Sequence, residues 1–232
     1  MLNNIVDVEI DKKVFADLLG NHPELMIMDI GTYDGKDSLE FRQLFPQSKI
    51  YAFEADPRSA KLFKKIVSDD QNITLVQTAL SNIDGKIDWY ASDSDTRRHY
   101  DFQNDWSASS SIKKPDNHIS VFDDVSFTKT DQISSMRLDT WMTQNEINNY
   151  IDVMWVDVNG GELEFIEGAI QTLVNRVKYL YIEFNGVGDK TLYKDCPTVE
   201  NIKGHLKGFR ELGIYNFKGN FGNVLLKNEK LK

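Results

Sequence analysis

The 232-residue sequence predicts an α/β protein whose mostly parallel sheet ends in an antiparallel C-terminal hairpin. Three observations predict it. Short apolar runs alternate with amphipathic helical stretches, the pattern of strand–helix–strand crossovers. Three of those runs end in an acid, at Glu54, Asp157 and Glu183, which lines one edge of the sheet with carboxylates. The last two runs are joined through Gly219-Asn-Phe-Gly222, a connection suited to a hairpin.

Taken in order, Val14, Phe15, Leu18 and Leu19 lie at helical spacing, so Asp11 to Leu19 reads as a helix ended by Gly20-Asn-His-Pro23. Leu25 to Ile30 is a buried strand that enters a glycine turn at Gly31 and Gly35. A helix from about Lys36, carrying Leu39, Phe41, Leu44 and Phe45, stops before Pro46. Lys49 to Glu54 is the second strand, and Asp56-Pro57 opens a helix with Leu62, Phe63, Ile66 and Val67 inward. Asn72 to Leu80 reads as the third strand, followed by a hairpin turn at Asp84-Gly85 into Lys86 to Tyr90. From Ala91 to about Val125 periodicity is lost, and Tyr100, Phe102, Trp106 and Phe122 punctuate a polar stretch. So long an insert after the third strand is functional or disordered, and its aromatics favour a partly ordered acceptor lid. Val125 to Met136 alternates weakly as a strand, and Arg137 to Met142 begins a short helix. Ile151 to Asp157 is a buried strand, and the helix after Asn159-Gly-Gly-Glu162 carries Leu163, Phe165, Ile166, Ala169, Ile170 and Leu173. Val177 to Phe184 is the next strand. Val199 to Leu212 is expected as the last helix, with Gly213 to Phe217 and Asn223 to Lys227 as the closing hairpin.

A composition of 41% hydrophobic and 27% charged residues suits one soluble globular domain over 1–232. The formal net charge is -9 and no basic block occurs, so no nucleic-acid partner is expected. Cys196 stands alone, which excludes an internal disulfide and fits a reducing compartment. Met1 to Ile10 is acidic where a signal peptide is basic and then apolar. No apolar run approaches the roughly 20 residues of a membrane span. A cytoplasmic protein without membrane contact is expected.

The glycine turn constrains the ligand. A dinucleotide fingerprint needs a second glycine where the backbone meets the pyrophosphate, and Tyr33 stands there. The P-loop pattern is absent. What fits is a ligand without phosphates, its amino-acid end over the turn and its ribose held by Glu54, about twenty residues on. S-adenosylmethionine is such a ligand, and its cationic sulfonium suits a rim made by Asp29, Glu54 and Asp157.

Four motifs in order resemble the FkbM-type methyltransferases, within the class I S-adenosylmethionine-dependent enzymes. Asp29-Ile-Gly-Thr-Tyr-Asp-Gly35 matches D-I-G-A-N-x-G, and Ala52-Phe-Glu-Ala-Asp-Pro57 matches A-F-E-P-x-P. Ala79-Leu80 follows the third strand, and Val156-Asp-Val-Asn-Gly-Gly-Glu162 matches I-D-V-E-G-A-E. The resemblance implies a Rossmann-like fold with a seven-stranded sheet and helices on both faces. It implies that Asp29, Gly31 and Gly35 hold the methionine part, Glu54 the ribose, and Ala79 and Leu80 the adenine edge; Thr32, Tyr33, Ala55 and Asp157 are further candidates for binding the cofactor. Trp155 stands where the pattern has Lys, and Asn159 where it has Glu.

Methyl transfer to a sugar or glycoconjugate hydroxyl, the acceptor that the resemblance implies, calls for a general base or a metal. Asp157 and Glu183 are the candidates for catalysis. A divalent metal between them is possible, though no dense carboxylate motif demands one. The alternatives are an N-methyltransferase acting on a small molecule or protein, and a silent cofactor-fold binding module. Plainer roles also stand: Asp157 capping the next helix, Glu183 pairing with a surface lysine, and His99 and His118 as solvated loop residues.

Overall fold

The computed structural model describes residues 12–20, 22, 24–94, 106–185, 191–219 and 221–231. Met1 to Asp11, His99, Tyr100 and Phe102 lie outside the described residues. The main sheet has seven strands: β1 (Met26–Ile30), β2 (Lys49–Phe53), β3 (Ile73–Val76), β7 (Ile151–Val156), β8 (Val177–Phe184), β9 (Phe209–Tyr215) and β10 (Gly222–Asn228). Their order is β3-β2-β1-β7-β8-β10-β9. The first five in that order are parallel; β10 runs antiparallel to β8, and β9 to β10.

Every residue of β1 is buried, as a parallel strand covered on both faces requires. Alternate side chains serve opposite faces. Ile27, Ile50, Ala52 and Val153 meet α1 (Lys13–Leu19), α2 (Lys36–Leu44) and α3 (Pro57–Val67) through Phe15, Phe41 and Phe63. Met28, Ile30, Phe53 and Met154 meet α5 (Leu138–Gln144), α6 (Glu162–Arg176) and α7 (Val199–His205) through Trp141, Phe165 and Ile202. Local chemistry starts these helices where the sequence predicts. Asp56 accepts the Arg58 N–H with Pro57 in the first turn of α3, and Thr198 and Asn201 form a reciprocal cap on α7.

Three expectations are corrected. The third strand is two: β3 stops at Val76, where the Thr78 N–H turns back to the Val76 carbonyl at 3.1 Å. Its remainder, β4 (Ala79–Leu80), joins a second sheet of order β4-β6-β5, with β5 (Gly85–Ser94) and β6 (Val125–Met136). The turn at Asp84-Gly85 therefore makes no hairpin between neighbours: β5 pairs antiparallel with β6, from Gly85↔Ser135 to Ser94↔Val125. The last helix also ends early. Gly208 at φ +99° breaks it, and Phe209, expected on the helix, begins β9. Between β5 and β6, residues 106–117 are irregular and α4 (His118–Val121) is one turn long.

Candidate active site

Chain order reverses between β1 and β7, with β2 and β3 on one side and β8 onward on the other. At such a switch point the connections diverge and leave a crevice at the carboxyl ends of the strands. Gly31 takes β1 into that crevice at φ +79°, and a Cβ there would lie 1.8 Å from the Asp157 carbonyl oxygen. Gly35 closes the turn at φ +81°, with its missing Cβ facing Phe63 and Val67. Tyr33 adopts φ +52° between them, where the resembled pattern has Asn, a residue better suited to left-handed backbone.

The turn keeps its own donors occupied. Gly31 and Thr32 N–H both donate to the Phe53 carbonyl, Tyr33 N–H to Glu54 Oε2, Gly35 N–H to the Thr32 carbonyl and Lys36 N–H to Asp34 Oδ1. A phosphate needs such donors free. These five face inward, so the turn suits a ligand end that is itself a donor or a cation.

The cleft beside the turn offers about 550 Å³ of free space, the open solvent at its mouth included. Gly31 and Tyr33 of the turn line it, with Glu54 and Ala55 after β2, Thr78, Ala79, Leu80 and Trp89 from β4 and β5 and the turn before them, and Asp157 and Asn159 after β7. Thr32 lines an adjoining recess with Asp34, Asp37 and Asp157. Asp29 and Gly35 line neither. Asp29 stands behind the turn, 1% exposed, where Oδ2 accepts the hydroxyls of Thr32 and Ser38, each at 2.6 Å. Burial, and then the charge of Asp37, push its pKa up to about 7.

Glu54 is buried as well. Its oxygens accept the Tyr33 N–H at 2.8 Å and the Asp56 N–H at 2.7 Å, while burial lifts its pKa to about 8. Asp157 is open to solvent through the cleft, yet protein surrounds it closely enough for desolvation, and then Asp37, to raise its pKa to about 6. It accepts the Asn159 N–H and a carboxyl hydrogen bond from Glu183, and it does not cap α6. Burial, and then the Asp157 charge, raise Glu183 well above the carboxylate range. Glu183 lines neither the cleft nor the recess, and its partners are Asp157 and the Asn185 amide, at 2.6 Å. Among the described residues no lysine pairs with it. Glu162, fully buried in the first turn of α6, accepts the Gly160 N–H at 3.0 Å, and burial raises it to about 8. Among the described residues no group of three or more His, Cys, Asp or Glu is placed to hold a metal ion.

Part of the insert belongs to the site. Ser107, Ala108, Ser110 and Ile112 line the cleft, and the Trp106 ring lies 6.1 Å from that of Tyr33. His118 corrects the solvated-loop expectation: it is 3% exposed among Phe122, Phe127 and Tyr193, and burial lowers its pKa to about 4. Sequence reasoning missed Thr78, Trp89 and the 107–112 wall. Trp89 alone carried a signal, a large aromatic in a strand just after Leu80.

A family model described as "Methyltransferase FkbM domain" matches residues 29–210. The chain is 33% identical over 209 residues to the 2-O-methyltransferase NoeI of Sinorhizobium fredii, covering 90% of this chain and 82% of that one. Among solved structures it superposes on the methyltransferase FkbM of Methylobacillus flagellatus KT with a TM-score of 0.52 at 12% identity, over 88% of this chain and 44% of that longer one. It also superposes on an rRNA methylase of Streptococcus thermophilus with a TM-score of 0.50 at 12% identity, over 96% and 99% of the two chains. These structural likenesses concern the fold.

Proposed function

Because this chain belongs to the FkbM methyltransferase family and is an S-adenosylmethionine-dependent methyltransferase, we propose that it methylates a hydroxyl oxygen, with a sugar or glycoconjugate as acceptor. The observation that carries the proposal is Asp157 at the carboxyl end of β7, exposed and lining the cleft, with its pKa raised by burial and then by Asp37. A hydroxyl is a poor nucleophile until a base takes its proton as the new bond forms, and a base works best with a pKa near the operating pH. Asp157, at about 6, meets that requirement. The similarity to a protein named as a 2-O-methyltransferase supports oxygen as the atom methylated.

The cleft fits S-adenosylmethionine by its chemistry: inward-turned N–H groups at the methionine end, a buried carboxyl at the ribose, and Ala79, Leu80 and Trp89 at the adenine. When bound, the cofactor supplies a methyl group activated by its sulfonium. Glu54 accepts ribose hydroxyls through the lone pairs that its two N–H partners leave free. Asp157 receives the acceptor proton, and Glu183, already protonated, holds Asp157 in place by its hydrogen bond. No metal is needed for these roles.

The test is a screen of the protein with S-adenosylmethionine against free glycans and nucleotide sugars, with and without chelator, read as methylated product by mass. O-methylated sugar in both conditions is expected. Asp157→Asn lowers kcat by about 100-fold or more, while Glu183→Gln, which still donates to Asp157, loses about tenfold or less. Methyl transfer to amines with every sugar inert overturns the acceptor. Full activity in Asp157→Asn overturns the base.

A further inference from the structure

We infer that Asn159 and Tyr193 are positioning residues that clasp residues 108–111 as a roof on the cofactor cleft, and that this clasp sets how fast the cofactor leaves. The inference rests on the cofactor assignment above. Asn159 Nδ2 donates to the Ala108 carbonyl at 3.0 Å and lies 3.4 Å from that of Ser110. Ser111 Oγ returns a bond to the Asn159 carbonyl at 2.6 Å. The Tyr193 hydroxyl lies 2.7 Å from the Ser109 carbonyl and 3.4 Å from Asn159 Oδ1, so its single proton goes to Ser109. Three successive roof carbonyls are therefore met by two side chains rooted elsewhere, in the β7–α6 turn and in the segment before α7.

The opposite side of the roof is fastened to the start of α3. Ser107 Oγ pairs with Ser59 Oγ at 2.8 Å, and Ser110 Oγ lies 3.3 Å from Asp56 Oδ2. Asp56 stays ionised: burial works against it, but the Arg58 guanidinium outweighs burial and lowers its pKa. The roof thus bridges both banks of the cleft that Ser107, Ala108 and Ser110 line. Tyr193 is 1% exposed, and burial with the charges of Glu183, Asp157 and Glu162 keeps its phenol protonated, so it remains a donor.

The clasp also accounts for the departure at position 159. Asn159 adopts φ +53°, which Asn tolerates better than Glu. A glutamate carboxylate there has no proton to offer the Ala108 and Ser110 carbonyls. The residue that departs from the resembled pattern is the one that makes the bridge.

The test is the dissociation rate of S-adenosylhomocysteine from the full chain by stopped-flow fluorescence, alongside the melting temperature of each variant. Asn159→Asp keeps the tolerance of left-handed backbone and removes the donor, Tyr193→Phe removes the other, and Ser111→Ala cuts the return bond from the roof side. Each is expected to speed dissociation about five- to tenfold, with association changed far less. A purely structural role would lower the melting temperature and leave dissociation as it was. Unchanged dissociation in the folded variants overturns the clasp. A wild-type chain that binds no S-adenosylhomocysteine overturns the cofactor assignment, and the clasp with it.

Discussion

Glu54 ends β2 with both oxygens engaged by backbone N–H groups and a pKa of about 8, so at neutral pH its carboxyl is largely protonated before a ligand arrives. Ribose hydroxyls donate to the ionised form and therefore draw its pKa down. Binding of 5′-methylthioadenosine, which carries the ribose and adenine without an amino acid, is expected to release a proton and to tighten as pH rises through about 8. Calorimetric titration on either side of that pH measures it. Equal affinity in the wild type excludes a ribose role for this carboxyl, and Glu54→Gln is expected to bind weakly with no such dependence. Gly31 is the other residue on which the cleft depends. Gly31→Ala forces a Cβ onto the Asp157 backbone in a conformation that L side chains rarely adopt, and a loss of about 3 kcal/mol or more is expected in urea unfolding. The turn glycines and Glu54 were legible because each combines a fixed residue type with a fixed place on a strand. The roof was not. Asn159 and Tyr193 act on carbonyls about fifty and eighty residues away in the chain, and no local pattern records such a pairing.

At the scale of elements, α1 is held to the sheet by an unusual cation. Lys12, 8% exposed, lies 4.7 Å from the Trp155 ring and pairs with Asp37 and Glu40 of α2 at 2.5 and 2.6 Å. Trp155 in turn stacks on Tyr181 with ring centroids 4.0 Å apart. The strand that has tryptophan where the resembled pattern has lysine thus receives an ammonium from outside itself. Lys12→Met is expected to cost about 1–2 kcal/mol, with faster amide exchange confined to α1 and the first turn of α2. Unchanged exchange in α1 would show that Phe15 and Leu19 alone hold it. Burial periodicity located β1, β2, β7, β8 and the helices between them, because a strand covered on both faces must be apolar throughout. It failed at Leu206 and Phe209, whose spacing suits a helix although Gly208 separates a helix end from a strand. It failed again at β5, whose partner β6 begins beyond the long insert and is fixed only by tertiary pairing.

Across the whole molecule, raised carboxyl pKa values gather at one edge of the sheet: Asp29 at about 7, Glu54 and Glu162 at about 8, and Asp157 at about 6. Each lies above its unfolded value near 4, so the native chain holds more protons than the unfolded one between about pH 4 and pH 8. Stability from these groups is complete below pH 4 and is lost as pH rises through 6 to 8. The melting temperature of the free protein is expected to fall between pH 6 and pH 8, and a cationic ligand to restore more of it at the upper end. A flat profile across that range, with the fold intact, would mean that water or counter-ions already compensate these carboxyls. The β5–β6 ribbon has a different kind of consequence. Its register ends at Ser94↔Val125, so the chain leaves and re-enters the ribbon at neighbouring positions. Closing a loop between fixed neighbours costs only about 0.6 kcal/mol more for each doubling of its length. Added length between Ser94 and Val125 therefore costs the ribbon itself little, whereas exchanges at 107–118 give up the cleft wall and the packing around His118, so descendants of this chain can reshape what covers the cleft by length while those anchors and the sheet stay as they are.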